Sequence, residues 1–128
     1  MMETEAKQLL EETFNRIQPG ESYRKARKSY EKLKIYTDTR CVTTERNLYP
    51  MAWEQMKQSG GLTAALISNE KNRMVLVVAS GAKQRNPAVV ELLFTENSLT
   101  VTAWAKEGLI KQRTAQGAVA TCLEALHL

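Results

Sequence analysis

One histidine, one aspartate and two cysteines in 128 residues leave little stock for side-chain chemistry. The histidine, His127, stands one residue from the C-terminus, where a general base is hard to hold against a nucleophile, so no Ser-His or Cys-His pair is expected. Cys41 and Cys122 are far apart and form no C-x-x-C, which speaks against a disulfide framework or a zinc ribbon and for a reducing, cytoplasmic setting. With Asp38 as the only aspartate, carboxylate chemistry would rest on glutamates such as Glu54 and Glu91, and neither has a motif around it. Nucleotide-binding glycine loops, H-E-x-x-H and calcium loops are all missing. The "SGAK" of Ser80–Lys83 has the S-x-x-K spacing of serine acyl-transferases without their S-D-N and K-T-G companions. No cofactor, metal or catalytic residue is therefore assigned.

Long apolar runs are missing too. The longest, "MVLVVA" and "AVVELLF", fall far short of the ~20 residues that a membrane-crossing helix requires. The opening "MMETEAKQLLEETF" is acidic and amphipathic, unlike a secretory leader. Composition is ordinary: 43% hydrophobic, 25% charged and a net charge of +4, enough for one core and only a mild attraction to anions. One α+β domain over residues 1–128 is expected.

Periodicity supplies the elements. Ala6, Leu9, Leu10, Phe14 and Ile17 share one side of a 3.6-residue repeat that ends at Pro19-Gly20. A second helix, capped by Ser22, turns Tyr23, Ala26, Tyr30 and Leu33 inward and leaves Arg24, Lys25, Lys28 and Lys32 in water, which completes a helical pair over 1–34. The β-branched "IYTDTRCVTT" of 35–44 predicts an edge strand or an extended arm. A short helix follows at 50–59, with Pro50 in its first turn and Ser59-Gly60-Gly61 as its stop.

Residues 62–106 read as a four-stranded antiparallel meander. Its turns fall at Asn69-Glu70-Lys71-Asn72 and Glu96-Asn97-Ser98. Leu99, Val101, Ala103 and Ala105 alternate with Thr100, Thr102, Trp104 and Lys106, so the first set is expected buried and the second partly wet. A C-terminal helix over 111–127 carries Ala115, Ala118, Val119, Cys122, Leu123 and Leu126 on one side, with Gly117 expected to mark close packing on the sheet.

Two surfaces follow from that topology. Strand ends that share one edge of a meander would gather Lys83, Arg85, Lys106, Lys111 and Arg113 into a basic rim beside Trp104, the one aromatic placed to stack on a base; this points to nucleic acid or another anionic partner, with Arg24, Lys25, Lys28 and Lys32 of the second helix as a secondary contact. Separately, Val75, Val77, Val90, Leu92 and Phe94 would leave one sheet face apolar and open, which points to self-association or another protein partner. Non-catalytic protein binding is the leading expectation, nucleic-acid binding the second, and a small-ligand site or an unidentified enzyme class the third.

Overall fold

The computed structural model describes residues 1–17, 30–60, 62–80, 86–107 and 113–128. The elements run α1 (Glu3–Ile17), β1 (Lys34–Thr43), α2 (Tyr49–Lys57), β2 (Ala64–Glu70), β3 (Arg73–Ser80), β4 (Asn86–Phe94), β5 (Ser98–Glu107) and α3 (Thr114–Ala125). The predicted α+β class holds. Strands β2 to β5 form the expected antiparallel meander, and β1 adds a fifth strand beside β5, giving the order β1-β5-β4-β3-β2. The chain thus enters at one edge of the sheet and crosses through α2 to begin the meander at the other. Most of the predicted second helix, including Arg24, Lys25 and Lys28, lies outside the described residues.

Turn chemistry sets the registers. The β2–β3 hairpin closes at Lys71-Asn72, and Asn72 adopts φ 65°, a left-handed conformation that asparagine tolerates better than most residues. The β4–β5 hairpin closes through Thr95 N–H donating to Ser98 O at 2.9 Å, with Glu96 and Asn97 at its tip. Side chains alternate across a strand, so a register also decides which residues share a face.

That rule overturns the expected open apolar face. In β3–β4, Val75 stands opposite Glu91 and Val77 opposite Val89. Val75 and Val77 therefore lie on the opposite side of the sheet from Val90, Leu92 and Phe94. Both faces are covered. Val90, Leu92 and Phe94 join Met74, Leu76, Leu99, Val101 and Ala103 beneath α2 and α3, while Val75, Val77, Val89 and Trp104 lie under Ala6, Leu10 and Phe14 of α1. The result is three layers, helix on sheet on helices, with both sheet faces dry over their central strands.

Two ring contacts fix the ends of these layers. Phe14 stacks on Tyr30 with centroids 4.1 Å apart, and Tyr49 meets Phe94 edge-on at 5.7 Å. Such pairs contribute roughly 0.5–1.5 kcal/mol beyond the area they bury.

Gly117 does not mark close packing. It lies on the exposed side of α3, and a Cβ added there would meet nothing within 4 Å. Its N–H is already committed to the Arg113 carbonyl at 2.9 Å. Gly117→Ala should therefore stabilise the protein by about 0.5–1 kcal/mol, by reducing the freedom of the unfolded chain, and a urea titration would show the gain as a raised midpoint with an unchanged slope.

Candidate functional site

Strand β1 is the element that the fold leaves unfinished. All ten residues pair with β5, from Lys34 opposite Glu107 to Thr43 opposite Ser98, without a bulge. No described residue pairs with its other side. The far edge of the sheet is different: β2 is shorter, and its register breaks between Leu66 and Ser68. Bulges and short edges discourage further pairing, whereas a long regular edge presents a row of free N–H and C=O groups. Lys34, Thr37, Thr39, Arg40, Cys41 and Thr43 are exposed along β1.

Register also sorts the β1 side chains. Ile35, Thr37, Thr39 and Cys41 stand on the α1 side with Lys106, Trp104, Thr102 and Thr100, and the Thr39 hydroxyl donates to the Thr102 hydroxyl at 3.2 Å. Tyr36, Asp38, Arg40 and Val42 stand on the α3 side. Asp38 Oδ2 is buried and has no hydrogen-bond partner, which is a costly condition for a carboxylate oxygen.

Next to this strand, at the start of α3, a cleft of about 240 Å³ is lined by Tyr36, Asp38, Glu107, Arg113 and Gln116 among others. Arg113, the residue before the helix, takes φ 54°, a left-handed conformation that costs a non-glycine residue on the order of 1 kcal/mol. It supplies no side-chain cap. The Glu107 carboxylate takes over that role by accepting the Thr114 N–H, and it places a negative charge at the positive end of the helix. The two carboxylates of the cleft thus differ: Glu107 is spent on the helix end and Asp38 is not.

Two ionisable clusters lie on the α1 side. Lys106 is almost wholly buried, with its side chain 1% exposed. Its Nζ donates to the Tyr30 carbonyl at 3.3 Å, sits 4.7 Å from the centre of the Tyr30 ring, and stands 3.8 Å from Glu11. Burial pulls its pKa down, Glu11 opposes that pull, and Lys7 adds to it. The Tyr30 hydroxyl donates to the Leu10 carbonyl at 3.4 Å, and burial pushes the phenol well above its ordinary range. A cavity of about 380 Å³ opens beside Lys106 between α1 and the start of β1, lined by Glu3, Lys7, Leu33 and Ile35. The lysine here ties Tyr30 and α1 to the sheet.

The second cluster surrounds Glu91 in the middle of β4. Its carboxylate accepts from Arg73 Nε at 2.9 Å and from the Met1 ammonium at 2.8 and 3.0 Å. Burial alone would raise the Glu91 pKa, and the hydrogen bonds and charges of its two partners outweigh this and hold it below the ordinary carboxylate value.

The residues of the expected basic rim have different fates. Lys83, Arg85 and Lys111 lie outside the described residues. Trp104 and Lys106 are buried, 6% and 9% exposed, because the strand face expected to be partly wet lies beneath α1 and Tyr30. Trp104 therefore cannot offer a ring to a base. Arg113 remains exposed at the cleft, and Lys32 is exposed before β1. Among the described residues no group of three or more His, Cys, Asp or Glu side chains is placed to hold a metal, and no helix is long and apolar enough to cross a membrane. Cys122 is buried in the core, and its thiol is pushed up to about 12 by that burial.

Sequence reading recognised 35–44 as an edge strand or an arm but missed Asp38 and Arg40 within it. The signal was available: two opposite charges at i and i+2 lie on the same face of any strand.

No family model matches the chain. No curated protein matches it either. Among solved structures, an uncharacterised protein from Rhizobium leguminosarum is similar with a TM-score of 0.50 at 11% identity, over 73% of this chain and 92% of that one. The Mll3558 protein from Rhizobium loti has a TM-score of 0.42 at 12% identity, over 73% of this chain and 96% of its own. The first likeness is one of fold.

Proposed function

We propose that this chain is a non-catalytic interaction domain that associates with a second copy of itself through the open edge of β1. The observation that carries the reading is the strand itself, ten residues paired without interruption on one side and unpaired among the described residues on the other. Adding a strand there would satisfy a row of backbone groups with the same geometry that β5 already supplies on the inner side. Self-association through an apolar sheet face has lost its basis, because α1 covers Val75 and Val77 while α2 and α3 cover the other side.

An edge contact is small beside the interfaces of permanent dimers, so the association should be reversible and dependent on concentration. Light scattering on a size-exclusion column should give a mass rising from 14.4 kDa toward twice that value as loading increases. Thr39→Lys, which puts a charged, hydrated side chain at the middle of the edge, should hold the mass at the monomer value without lowering the melting temperature of the monomer. A mass of 14.4 kDa at the highest soluble concentration would overturn the reading.

A further inference from the structure

We infer that two copies pair their β1 strands antiparallel about a two-fold axis through Thr39 and perpendicular to the sheet, so that Asp38 of each copy meets the partner's Arg40. This inference rests on the reading above and gives that association its register.

Symmetry narrows the choice first. Two antiparallel strands related by such an axis continue each face of the sheet into the same face of the partner, so only residues of like alternation can stand opposite one another. Charge then selects among the remaining registers. With Thr39 on the axis, Asp38 faces the partner's Arg40 and Arg40 faces the partner's Asp38, so one residue pair makes two ion pairs. Moving the axis to Asp38 opposes the two carboxylates, and moving it to Arg40 opposes the two guanidinium groups. An axis at Thr37 sets Arg40 against the partner's Lys34. Like charges directly opposite each other on a sheet are destabilising, and opposite charges are favourable.

The state of these side chains in one copy fits that pairing. Asp38 Oδ2 is buried without a hydrogen-bond partner, and Arg40 is exposed without an ion pair among the described residues. Both stand on the α3 side of β1. Asp38 also lines the cleft at the start of α3, and the partner's guanidinium would approach it along the open edge of β1.

The same register completes the rest of the strand. It sets Tyr36 opposite the partner's Val42, an aromatic and a β-branched side chain that are both only partly covered in one copy. Ile35 stands opposite the partner's Thr43, so the pairing runs nearly the full length of β1. Pairing of β1 with the partner's β2 would instead propagate open-endedly, and the bulge between Leu66 and Ser68 interrupts the ladder it would need.

Cross-linking and charge exchange test the register separately from the association. Directly opposite residues of an antiparallel pair have Cα atoms roughly 4.5–5.5 Å apart, within disulfide range. Thr39→Cys in a Cys41→Ser background should therefore form a covalent dimer in oxidised glutathione, whereas Arg40→Cys in the same background, displaced from its own copy, should not. Arg40→Asp should weaken dimerisation about tenfold or more, Asp38→Arg likewise, and the double exchange should restore it. Arg40 is exposed, so its substitution keeps the test valid even if Asp38→Arg fails to fold. A reversible dimer that neither cross-links through position 39 nor responds to charge exchange would overturn the register and leave self-association standing. A strict monomer would overturn both.

Discussion

Trp104→Ala should cost about 3 kcal/mol or more of folding stability, measured as a shift in the urea midpoint followed by circular dichroism. The tryptophan stands opposite Val89 of β4 and Thr37 of β1, 6% exposed, in a cluster with Leu10, Phe14 and Tyr30. Truncation removes most of the largest side chain in the layer between α1 and the sheet. The surrounding residues cannot collapse into the space, because they sit on three separate elements whose registers are set elsewhere. Trp104→Phe keeps a ring in place and should cost roughly half as much, since much of the buried area survives. A loss below about 1 kcal/mol for the alanine variant would mean that α1 does not seal this face.

Glu91→Gln should cost about 2–3 kcal/mol at neutral pH, and the loss should shrink as the solution is acidified. Removing one partner of a fully buried ion pair costs about 3–5 kcal/mol, and the smaller figure reflects an Arg73 side chain that keeps 28% of its surface exposed. The pH dependence follows from the direction of the Glu91 shift. Its folded pKa lies below the ordinary value of 4.5, so the carboxylate contributes stability that is fully present above the unfolded pKa and is lost as the pH falls through the folded one. Wild type and variant should therefore converge in acid, with the change confined to the region below about 4.5. Stability measured by urea titration across that range checks the prediction, and a gap that stayed constant would show that the Glu91 charge does no net work in the fold.

These two residues also show what could be read in advance. Trp104 and Glu91 both belong to strands whose positions were expected from alternation and turn chemistry, and the expected meander is present. Their surroundings were not legible. Trp104 alternates with alanines and follows two threonines, a pattern that normally marks a solvated face, and only the arrival of α1 and Tyr30 makes it dry. Glu91 looked unremarkable because its partners lie far away in sequence, Arg73 across one strand pair and the Met1 ammonium at the start of the chain. Local pattern carries no information about which distant element will settle over a strand.

The candidate site divides in the same way. Six of the ten basic and aromatic residues chosen for anion contact lie outside the described residues, and two of the other four, Trp104 and Lys106, are buried. The error for these two had one source, the assumption that helices covered a single side of the sheet. Asp38 and Arg40 were passed over because two charges in a threonine-rich strand look like ordinary edge chemistry. They gain meaning only when β1 is seen to pair on one side alone.

The amino-acid sequence by itself determined α1, α2 and α3, the two tight hairpins and the α+β class, because these follow from periodicity and from turn residues whose preferences act over a few positions. Tertiary structure decided the rest. Whether Val75 shares a face with Val89 or with Val90, whether Trp104 is wet, and which edge of the sheet stays open depend on strand register and on where α1 and β1 dock. Those choices are made by the summed burial of residues far apart along the chain, and no single segment encodes them.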